Sequence, residues 1–316
     1  MVDRSGGWLD GRSATHLNFN YDVVVIGGGA AGLSAALVLG RARRRVAVID
    51  AGEPRNAPAQ HMQGYLSRDG MPPQELLAEG RTEIRRYGVE IIDGRVVEIE
   101  PGFTLRLSNG DSVNARRILL ATGVRDELPE IEGAHARWGR DFLHCPYCHG
   151  WEVRDQPIGV IATQSGSVLH AHLLRQWSDD VVFFTHTQQI SSDERATVEA
   201  RGIRVVDGVV TRFEVENDQL TGVALAGGHV VARTAVFIRP AGLPHTDGLL
   251  DQLGCERDEA GFPAVDASGQ TSATGVWAAG NIVDPRMQVI TAAGAGNAAA
   301  IAINADLVSD DVANPN

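Results

Sequence analysis

The chain has 316 residues, and its 28 basic and 40 acidic side chains give a formal charge of −12. This acidity argues against nucleic acid or an anionic membrane as the main partner, because both attract basic surfaces. With 43% hydrophobic and 22% charged residues, the composition is that of a globular protein. The length favours two domains over one.

The first 20 residues contain charged side chains and no apolar core. They predict a flexible N-terminal arm over residues 1–20 rather than a secretory signal, and a cytoplasmic protein. An uncharged run then extends from residue 23 to residue 40, and arginines follow it. The glycines at 27–29 divide this run into two short elements, so we expect no membrane span.

A β-α-β unit follows the arm. Residues 22–26 are rich in valine and isoleucine, which predicts a strand buried on both faces. Residues 33–41 predict a helix, and residues 45–50 predict a second strand. Between the first strand and the helix, the sequence GGGAAG at residues 27–32 fits the pattern G-x-G-x-x-G.

This glycine pattern predicts a dinucleotide-binding turn. Gly27 permits the tight turn, Gly29 lets the backbone approach a pyrophosphate, and Gly32 lets the helix pack closely against the strand. The amides at the start of the helix, at Ala30 and Ala31, are expected to bind the phosphate oxygens.

Asp50 ends the second strand, 18 residues after Gly32, where a carboxylate binds ribose hydroxyls. A carboxylate disfavours a 2′-phosphate, so the pattern favours FAD or NAD over NADP. The alternative is a merely flexible glycine loop. The order of strand, turn, helix, strand and acid favours the nucleotide site.

The rest of the chain repeats this organisation. We expect a loop over 56–69, a helix over 73–87, strands over 89–99, 104–107 and 117–121, a second β-α-β unit over 158–162, 168–177 and 181–184, a hairpin over 205–230, a strand over 235–238, a strand over 276–280 and a helix over 290–308. This predicts an α/β protein with two nested Rossmann-like, three-layer dinucleotide-binding domains. Residues 21–125 and 245–316 form the first domain, and residues 126–244 form the nested one.

The sequence HCPYCHG at residues 144–150 contains the highest density of reactive side chains in the chain. Cys145 and Cys148 are spaced to form a disulfide across one helical turn, and such pairs contain a thiol of lowered pKa that attacks disulfides. Pro146 is compatible with the first turn of a helix. His144 and His149 are candidates to transfer protons to and from the thiols.

Two alternative interpretations of the cysteine pair are a zinc site and a glutaredoxin-like dithiol, and the sequence favours neither. A closed zinc site needs four ligands, and the sequence contains no second paired motif, so we expect no metal. The sequence Cys-Pro-Tyr-Cys also occurs in glutaredoxins, whose dithiol lies near the start of a short fold, unlike this one. Cys255 has no partner in the sequence and is expected to be a small buried side chain.

With these motifs, the chain resembles the low-molecular-weight thioredoxin reductase family of flavoproteins from about residue 21 to residue 308. The resemblance rests on the glycine turn, the sequence Ala-Thr-Gly at 121–123, the mid-chain cysteine pair, and the stretches GVWAAGN at 275–281 and QVITAAG at 288–294. It implies that the first domain binds FAD, that the nested domain corresponds to the one that binds NADPH in that family, that the dithiol exchanges electrons with the flavin, and that the protein is a homodimer.

The resemblance also implies roles for individual residues. Cys148 would face the flavin and Cys145 the outside, Asn281 would contact the FAD ribitol, and Gln288 and Val289 would lie beside the flavin ring. The remaining residues of the implied FAD site are Arg55, Asn56, His61, Val96, Ala121, Thr122, Gly123, Gly280 and Ile290.

Departures from that family concern the nested domain. Its second glycine turn is here the sequence ATQSGS at 162–167, which lacks the first two glycines. The segment expected to hold the arginines for a 2′-phosphate is HTQQ at 186–189. Both differences remove the main reasons to expect NADPH. His149 replaces an expected carboxylate and Asn281 an expected aspartate.

With the sequence CPYCHG at 145–150, these departures make the chain resemble one branch in particular, the dithiol oxidases that close disulfides in natural products such as gliotoxin, holomycin and romidepsin. The stretch RQWSDD at 175–180 is also similar to that branch. The resemblance implies a small dithiol substrate, with holomycin-like compounds as the leading class, and electrons passing through Cys145 and Cys148 to FAD and dioxygen. The alternatives are an NADPH-dependent thioredoxin reductase, a reductase with another electron donor, and a non-enzymatic flavin sensor. His135, Trp138 and Tyr147 are candidates for the substrate pocket, although Trp138 is more simply explained by packing.

Overall fold

The computed structural model describes residues 19–314. The first part of the chain contains β1 (Phe19–Ile26), α1 (Ala30–Arg41), β2 (Val46–Asp50), α2 (Pro73–Arg85), β3 (Glu90–Asp93), β4 (Val96–Glu100), β5 (Thr104–Leu107) and β6 (Ser112–Leu120). The predicted arm lies outside the described residues up to residue 18, and its last two residues belong to β1.

The middle of the chain contains β7 (Val124–Glu127), α3 (Ala134–Arg137), β8 (Phe142–Leu143), α4 (Pro146–His149), β9 (Ile158–Ile161), α5 (Ser167–Leu174), β10 (Val181–Phe184), α6 (Ser192–Ala200), β11 (Arg204–Val206), β12 (Val210–Glu216), β13 (Gln219–Leu225), β14 (Val230–Ala232), β15 (Ala235–Phe237) and β16 (Ala241–Pro244). The last part contains α7 (Leu249–Gln252), β17 (Val276–Ala278), a 3-10 turn (Gly280–Ile282) and α8 (Val289–Ala313).

The first sheet has seven strands, in the order β3-β2-β1-β6-β5-β4, with β17 also paired to β6. Strands β1, β2, β3, β6 and β17 pair in parallel, whereas β4 and β5 are antiparallel. Alternate residues of β1 enter two different cores: Val23 and Val25 pack with α1 and α8, and Val24 and Ile26 pack on the opposite face. The predicted strand buried on both faces is confirmed.

The second sheet has five parallel strands, in the order β11-β10-β9-β15-β8. Its strand β10 is also buried on both faces, since Val182 and Phe184 belong to one core and Val181 and Phe183 to the other. A separate antiparallel sheet of β12, β13 and β14 packs beside it. The predicted α/β fold with Rossmann-like sheets is confirmed.

Two connections join these sheets. Strand β7 leaves the first sheet after β6, strand β16 returns, and the two pair antiparallel between residues 124–127 and 241–244. The chain then rejoins the first sheet through β17. This pairing supports our proposal that residues 126–244 form a nested domain.

One predicted strand differs from the expectation. Residues 89–99 form two strands rather than one, because Gly94 has φ of +156° and turns the chain from the parallel β3 into the antiparallel β4. The predicted antiparallel hairpin is formed by β12 and β13. Residues 205–230 also include the end of β11 and the first residue of β14. In residues 19–314, no helix is long and apolar enough to cross a membrane.

Candidate active site

A cavity of about 450 Å³ lies between the glycine turn and the cysteine pair. It brings together most of the residues singled out in the sequence. Those that line it are Gly27, Gly29, Ala30, Ala31, Asp50, Arg55, Asn56, Ala121, Thr122, Gly123, His144, Cys145, Cys148, His149, Asn281, Gln288 and Val289.

The other candidates lie outside this cavity. Val96 lines a neighbouring cavity of about 60 Å³, which shares Asp50 and Thr122 with the large one. His61 is exposed, with Nδ1 3.0 Å from the carbonyl oxygen of Gly70. Ile290 is exposed at the start of α8.

Two glycines, Gly32 and Gly280, do not line the cavity but allow the segments around it to pack closely. A side chain at Gly32 would place its Cβ 1.9 Å from the carbonyl oxygen of Gly27, so only glycine lets α1 approach the turn. Gly280 has φ of +82°, and a Cβ there would lie 2.8 Å from that of Ala31. Both residues therefore act on the site by close packing.

The glycine turn has the geometry of a phosphate cradle. Gly27 has φ of +109°, and a Cβ there would lie 2.4 Å from the carbonyl oxygen of Ala121. By contrast, a Cβ at Gly29 would meet nothing within 4 Å. Gly29 is the N-cap of α1 and supplies no side-chain cap. The open space and the uncapped amides at the start of α1 suit an anionic group.

Thr122 gives a second indication of a ligand. Its hydroxyl oxygen is buried and has no hydrogen-bond partner within the described part of the chain. Thr122 lines both cavities. Buried hydroxyls are usually hydrogen-bonded, because an unpaired one costs about 1–3 kcal/mol. A bound polar group in the cavity would satisfy it.

Asp50 has a partner that sequence analysis missed. The guanidinium of Arg81 on α2 pairs with the carboxylate of Asp50, and it also lies 3.5 Å from Asp93. The carboxyl group of Asp50 lies against Gly28, where a Cβ would be 2.6 Å away. The Arg81 pair therefore holds the Asp50 side chain beside the glycine turn. No sequence signal links Arg81 to Asp50, since α2 follows a long loop.

The cysteine pair forms a disulfide at the start of a one-turn helix. Cys145 and Cys148 are bonded, with their Cα atoms 5.2 Å apart. Cys145 is the N-cap of α4, Pro146 occupies the first helical position, and the amide of Cys148 donates to Sγ of Cys145 at 3.1 Å. This amide stabilises negative charge on Cys145 when the disulfide opens.

Two histidines flank the disulfide and line the same cavity. Burial lowers the pKa of His144 to about 4, and the positive charge of Arg55 adds to this effect. Burial also lowers the pKa of His149, against the opposing charge of Glu152. Both imidazoles are therefore neutral near pH 7, the form that accepts a proton from a thiol.

An ion pair ties together three walls of the cavity. Arg55 donates to both carboxylate oxygens of Asp126 at 2.8 and 2.7 Å, and to the carbonyl oxygen of Pro285 at 2.6 Å. It thereby joins the loop after β2, the connecting strand β7 and the segment before α8. The sequence singled out Arg55 as a cofactor residue, but Asp126 and Pro285 were missed.

Of the three candidates for the substrate pocket, Trp138 and Tyr147 line the cavity and His135 does not. His135 is exposed on α3. Trp138 packs edge-to-face on Phe142 with ring centroids 5.4 Å apart, which explains it as a packing residue. Tyr147 is largely exposed between the two cysteines.

The second nucleotide turn is occupied by side chains of the protein itself. The hydroxyl of Thr163 donates to the carbonyl oxygen of Arg239 at 2.7 Å. The amide of Gln164 donates to the carbonyl oxygens of Arg239 and Pro240 at 2.9 and 3.0 Å. The Arg239 guanidinium lies against Gly166 and donates to its carbonyl oxygen at 3.3 Å. Where a pyrophosphate would need open backbone, the turn is filled.

Comparisons with known proteins agree with this geometry. Residues 21–296 match the family model of the pyridine nucleotide-disulphide oxidoreductases. The thioredoxin reductase sirT of Leptosphaeria maculans is 31% identical, over 93% of this chain and 96% of that protein. The thioredoxin reductase tcpT of Claviceps purpurea is 33% identical, over 82% and 86%.

Solved structures are similar as well. A crystal structure of HlmI is 55% identical, with a TM-score of 0.91 over 93% of this chain and 94% of that one. A putative thioredoxin reductase TrxB of Bacillus anthracis is 33% identical, with a TM-score of 0.87 over 92% and 99%. The chain belongs to the pyridine nucleotide-disulphide oxidoreductase family and is thioredoxin reductase-like.

Members of this group are FAD-binding flavoproteins, and the cavity fits that cofactor. The open space at Gly29 and the unpaired hydroxyl of Thr122 are the features that a bound FAD would use. Asn281 donates through Nδ2 to the carbonyl oxygens of Asp284 and Met287 at 3.1 and 3.0 Å. This orientation leaves its amide oxygen to accept a hydrogen bond from a cofactor hydroxyl.

Proposed function

We propose that the protein is an FAD-dependent dithiol oxidase that closes an intramolecular disulfide in a small natural-product dithiol of the holomycin-like class. The observation that carries this proposal is a contrast between two sites. The glycine turn at 27–32 is open and shares a cavity with the disulfide, whereas the second turn at 163–166 is filled by Gln164 and Arg239. The first arrangement suits electron transfer from a dithiol, and the second argues against binding of an NADPH pyrophosphate at that turn.

The reaction begins with one substrate thiolate attacking Sγ of Cys145. A bond forms between that sulfur and Cys145, the Cys145–Cys148 bond breaks, and Cys148 leaves as a thiolate. Neutral His149 or His144 takes the proton of the attacking thiol. Burial keeps both imidazoles unprotonated near neutral pH, so each has a ring nitrogen free to accept the proton, and the lowered pKa makes each a weaker base than an exposed histidine.

The second substrate thiol then attacks the substrate sulfur of the mixed disulfide. The substrate disulfide forms, and Cys145 leaves as a thiolate that the amide of Cys148 stabilises. Two electrons now reside in the reduced cysteine pair, and the two thiol protons pass to the histidines and solvent. FAD supplies the two-electron acceptor for this pair, with dioxygen reduced to hydrogen peroxide as the final acceptor.

The runner-up is a thioredoxin-type reductase that uses NADPH, as the names of several relatives suggest. Anaerobic titration of the FAD-loaded protein separates the two. We expect NADPH to leave the flavin absorbance unchanged and reduced holomycin to bleach it. Oxygen should then restore the absorbance with one hydrogen peroxide formed per flavin. Bleaching by NADPH would instead establish the reductase, and a flavin inert to both would indicate a non-catalytic sensor.

We also propose a homodimer, and a cytoplasmic location in keeping with the thiol chemistry. Helix α8 supports the first point, because Ile301, Val308 and Val312 are exposed along one side of it. Such a row of apolar side chains suits contact with a second copy. Light scattering coupled to gel filtration measures the mass directly, and a monomer at micromolar concentration would rule the dimer out.

A further inference from the structure

Exposed aromatic side chains in the described residues are few, and two of them flank the disulfide. Tyr147 is 63% exposed and Trp151 is 65% exposed. Most aromatic rings of a globular protein lose more of their surface to the core. A large exposed ring this close to Cys148 is therefore a candidate for contact with a ligand.

The two rings differ in what already covers them. The guanidinium of Arg154 lies over the Trp151 ring, 4.0 Å from its centroid, and also donates to the Trp151 carbonyl oxygen at 2.7 Å. Trp151 does not line the cavity, whereas Tyr147 does. Tyr147 is therefore the ring that is both exposed and directed to the space beside the disulfide.

Packing from behind holds Tyr147 in place. Its ring meets Trp177 edge-to-face, with centroids 5.7 Å apart and planes at 86°. Trp177 in turn lies on Gly150, where a Cβ would be 2.8 Å from Cδ2 of the indole. Since Tyr147 and Gly150 belong to the same turn as the cysteines, the indole fixes the tyrosine ring relative to the disulfide.

We propose that Tyr147 is the specificity-determining residue of the dithiol site and that it favours dithiols carried on planar unsaturated rings. This inference rests on the proposed dithiol oxidase function. A fixed aromatic ring stacks well on a planar ring and gains less from a puckered saturated one. The preference concerns the ring that carries the thiols, while the sulfur exchange at Cys145 is the same for every dithiol.

Two probes that carry the same pair of mercaptomethyl groups test this preference: 1,2-bis(mercaptomethyl)benzene, whose ring is planar and aromatic, and trans-1,2-bis(mercaptomethyl)cyclohexane, whose ring is saturated and puckered. The FAD-loaded protein is mixed with each under anaerobic conditions at subsaturating concentration. Flavin bleaching and the appearance of free thiols on the cysteine pair are followed separately. The ratio of the two second-order rate constants is then compared between variants, so that the intrinsic reactivities of the compounds cancel.

We expect Tyr147→Leu to lower the aromatic-to-saturated rate ratio about two- to tenfold. Tyr147→Phe should keep the ratio of the wild type, because the ring remains. Trp151→Leu is the matched control for an exposed ring outside the cavity, and its ratio should be unchanged. Retained flavin absorbance in each variant confirms that the site is intact.

An unchanged ratio in Tyr147→Leu would overturn the assignment, as would an equal fall in Trp151→Leu. Faster exchange with reduced thioredoxin than with either compound would also overturn it, in favour of a protein substrate. If the cysteine pair accepts electrons but the flavin does not, the oxidase function fails while the ring preference is still measured. If neither compound reduces the cysteine pair of the wild type, both proposals fail together.

Discussion

The substitution Gly29→Ala should change FAD binding at the glycine turn and leave the fold of the turn unchanged. Gly29 has φ of −77° and ψ of −172°, which alanine adopts without strain. A Cβ at this position meets nothing within 4 Å. The apoprotein should therefore keep its stability within about 1 kcal/mol, because the lower entropy of the unfolded chain favours alanine and the N-cap position disfavours it.

Binding of FAD should respond in the opposite way. In the proposed FAD site, the new methyl group enters the space through which a pyrophosphate would approach the start of α1. Inserting a methyl group into a closely packed contact costs about 1–3 kcal/mol. At about 1.4 kcal/mol per factor of ten, the Kd for FAD should rise about fivefold to about 150-fold.

Two measurements on the apoprotein test this pair of expectations. Titration with FAD, followed by quenching of flavin fluorescence, gives the Kd, and urea unfolding gives the free energy of unfolding. Gly294→Ala on α8 is the matched control, since its Cβ also meets nothing within 4 Å. A Kd for Gly29→Ala within twofold of the wild type would refute the proposed course of the pyrophosphate.

Three further predictions concern the cysteines, a buried histidine and the cavity walls. Cys145→Ser should keep the yellow colour of bound FAD but lose all turnover. Cys255→Ser changes a buried free thiol and should stay active. The rate of oxygen uptake measures the turnover of both variants. Burial lowers the pKa of His170 to about 3, so below about pH 6.5 the unfolded state binds a proton that the folded state does not. The free energy of unfolding should therefore fall as the pH drops from about 6.5 to about 3, and a slope unaltered in His170→Gln would contradict this. A double-mutant cycle with Arg55→Met and Asp126→Asn should give a coupling of about 0.5–3 kcal/mol from urea unfolding, and additive effects would show that the pair does not stabilise the walls.

Most of the fold was predictable because its signals are local. The strand before residue 27, the glycine turn and the helix after it form one continuous pattern, and the structure reproduces it. The exception at residues 89–99 shows the limit of such patterns. Alternating apolar residues predict a strand, but they do not show that Gly94 divides it between a parallel and an antiparallel neighbour.

The candidate site was predictable to a similar extent and for a similar reason. Residues that belong to a motif, such as those near Gly29 and Cys145, line the cavity as expected. His61 and Ile290 were placed in the cofactor site by resemblance alone, and they lie outside the cavity. Their positions depend on the path of a loop and on the rotation of α8, which the motifs do not specify.

The sequence by itself determined the first β-α-β unit, the glycine turn and the one-turn helix of the cysteine pair, because each depends on residues adjacent along the chain. Tertiary structure decided the rest. The pairing of Arg55 with Asp126 spans 71 residues, and the contact of Gln164 with Arg239 spans 75. Such contacts, and the burial that keeps His144 neutral, exist only once distant segments pack together, since burial and long-range hydrogen bonds are properties of the folded chain.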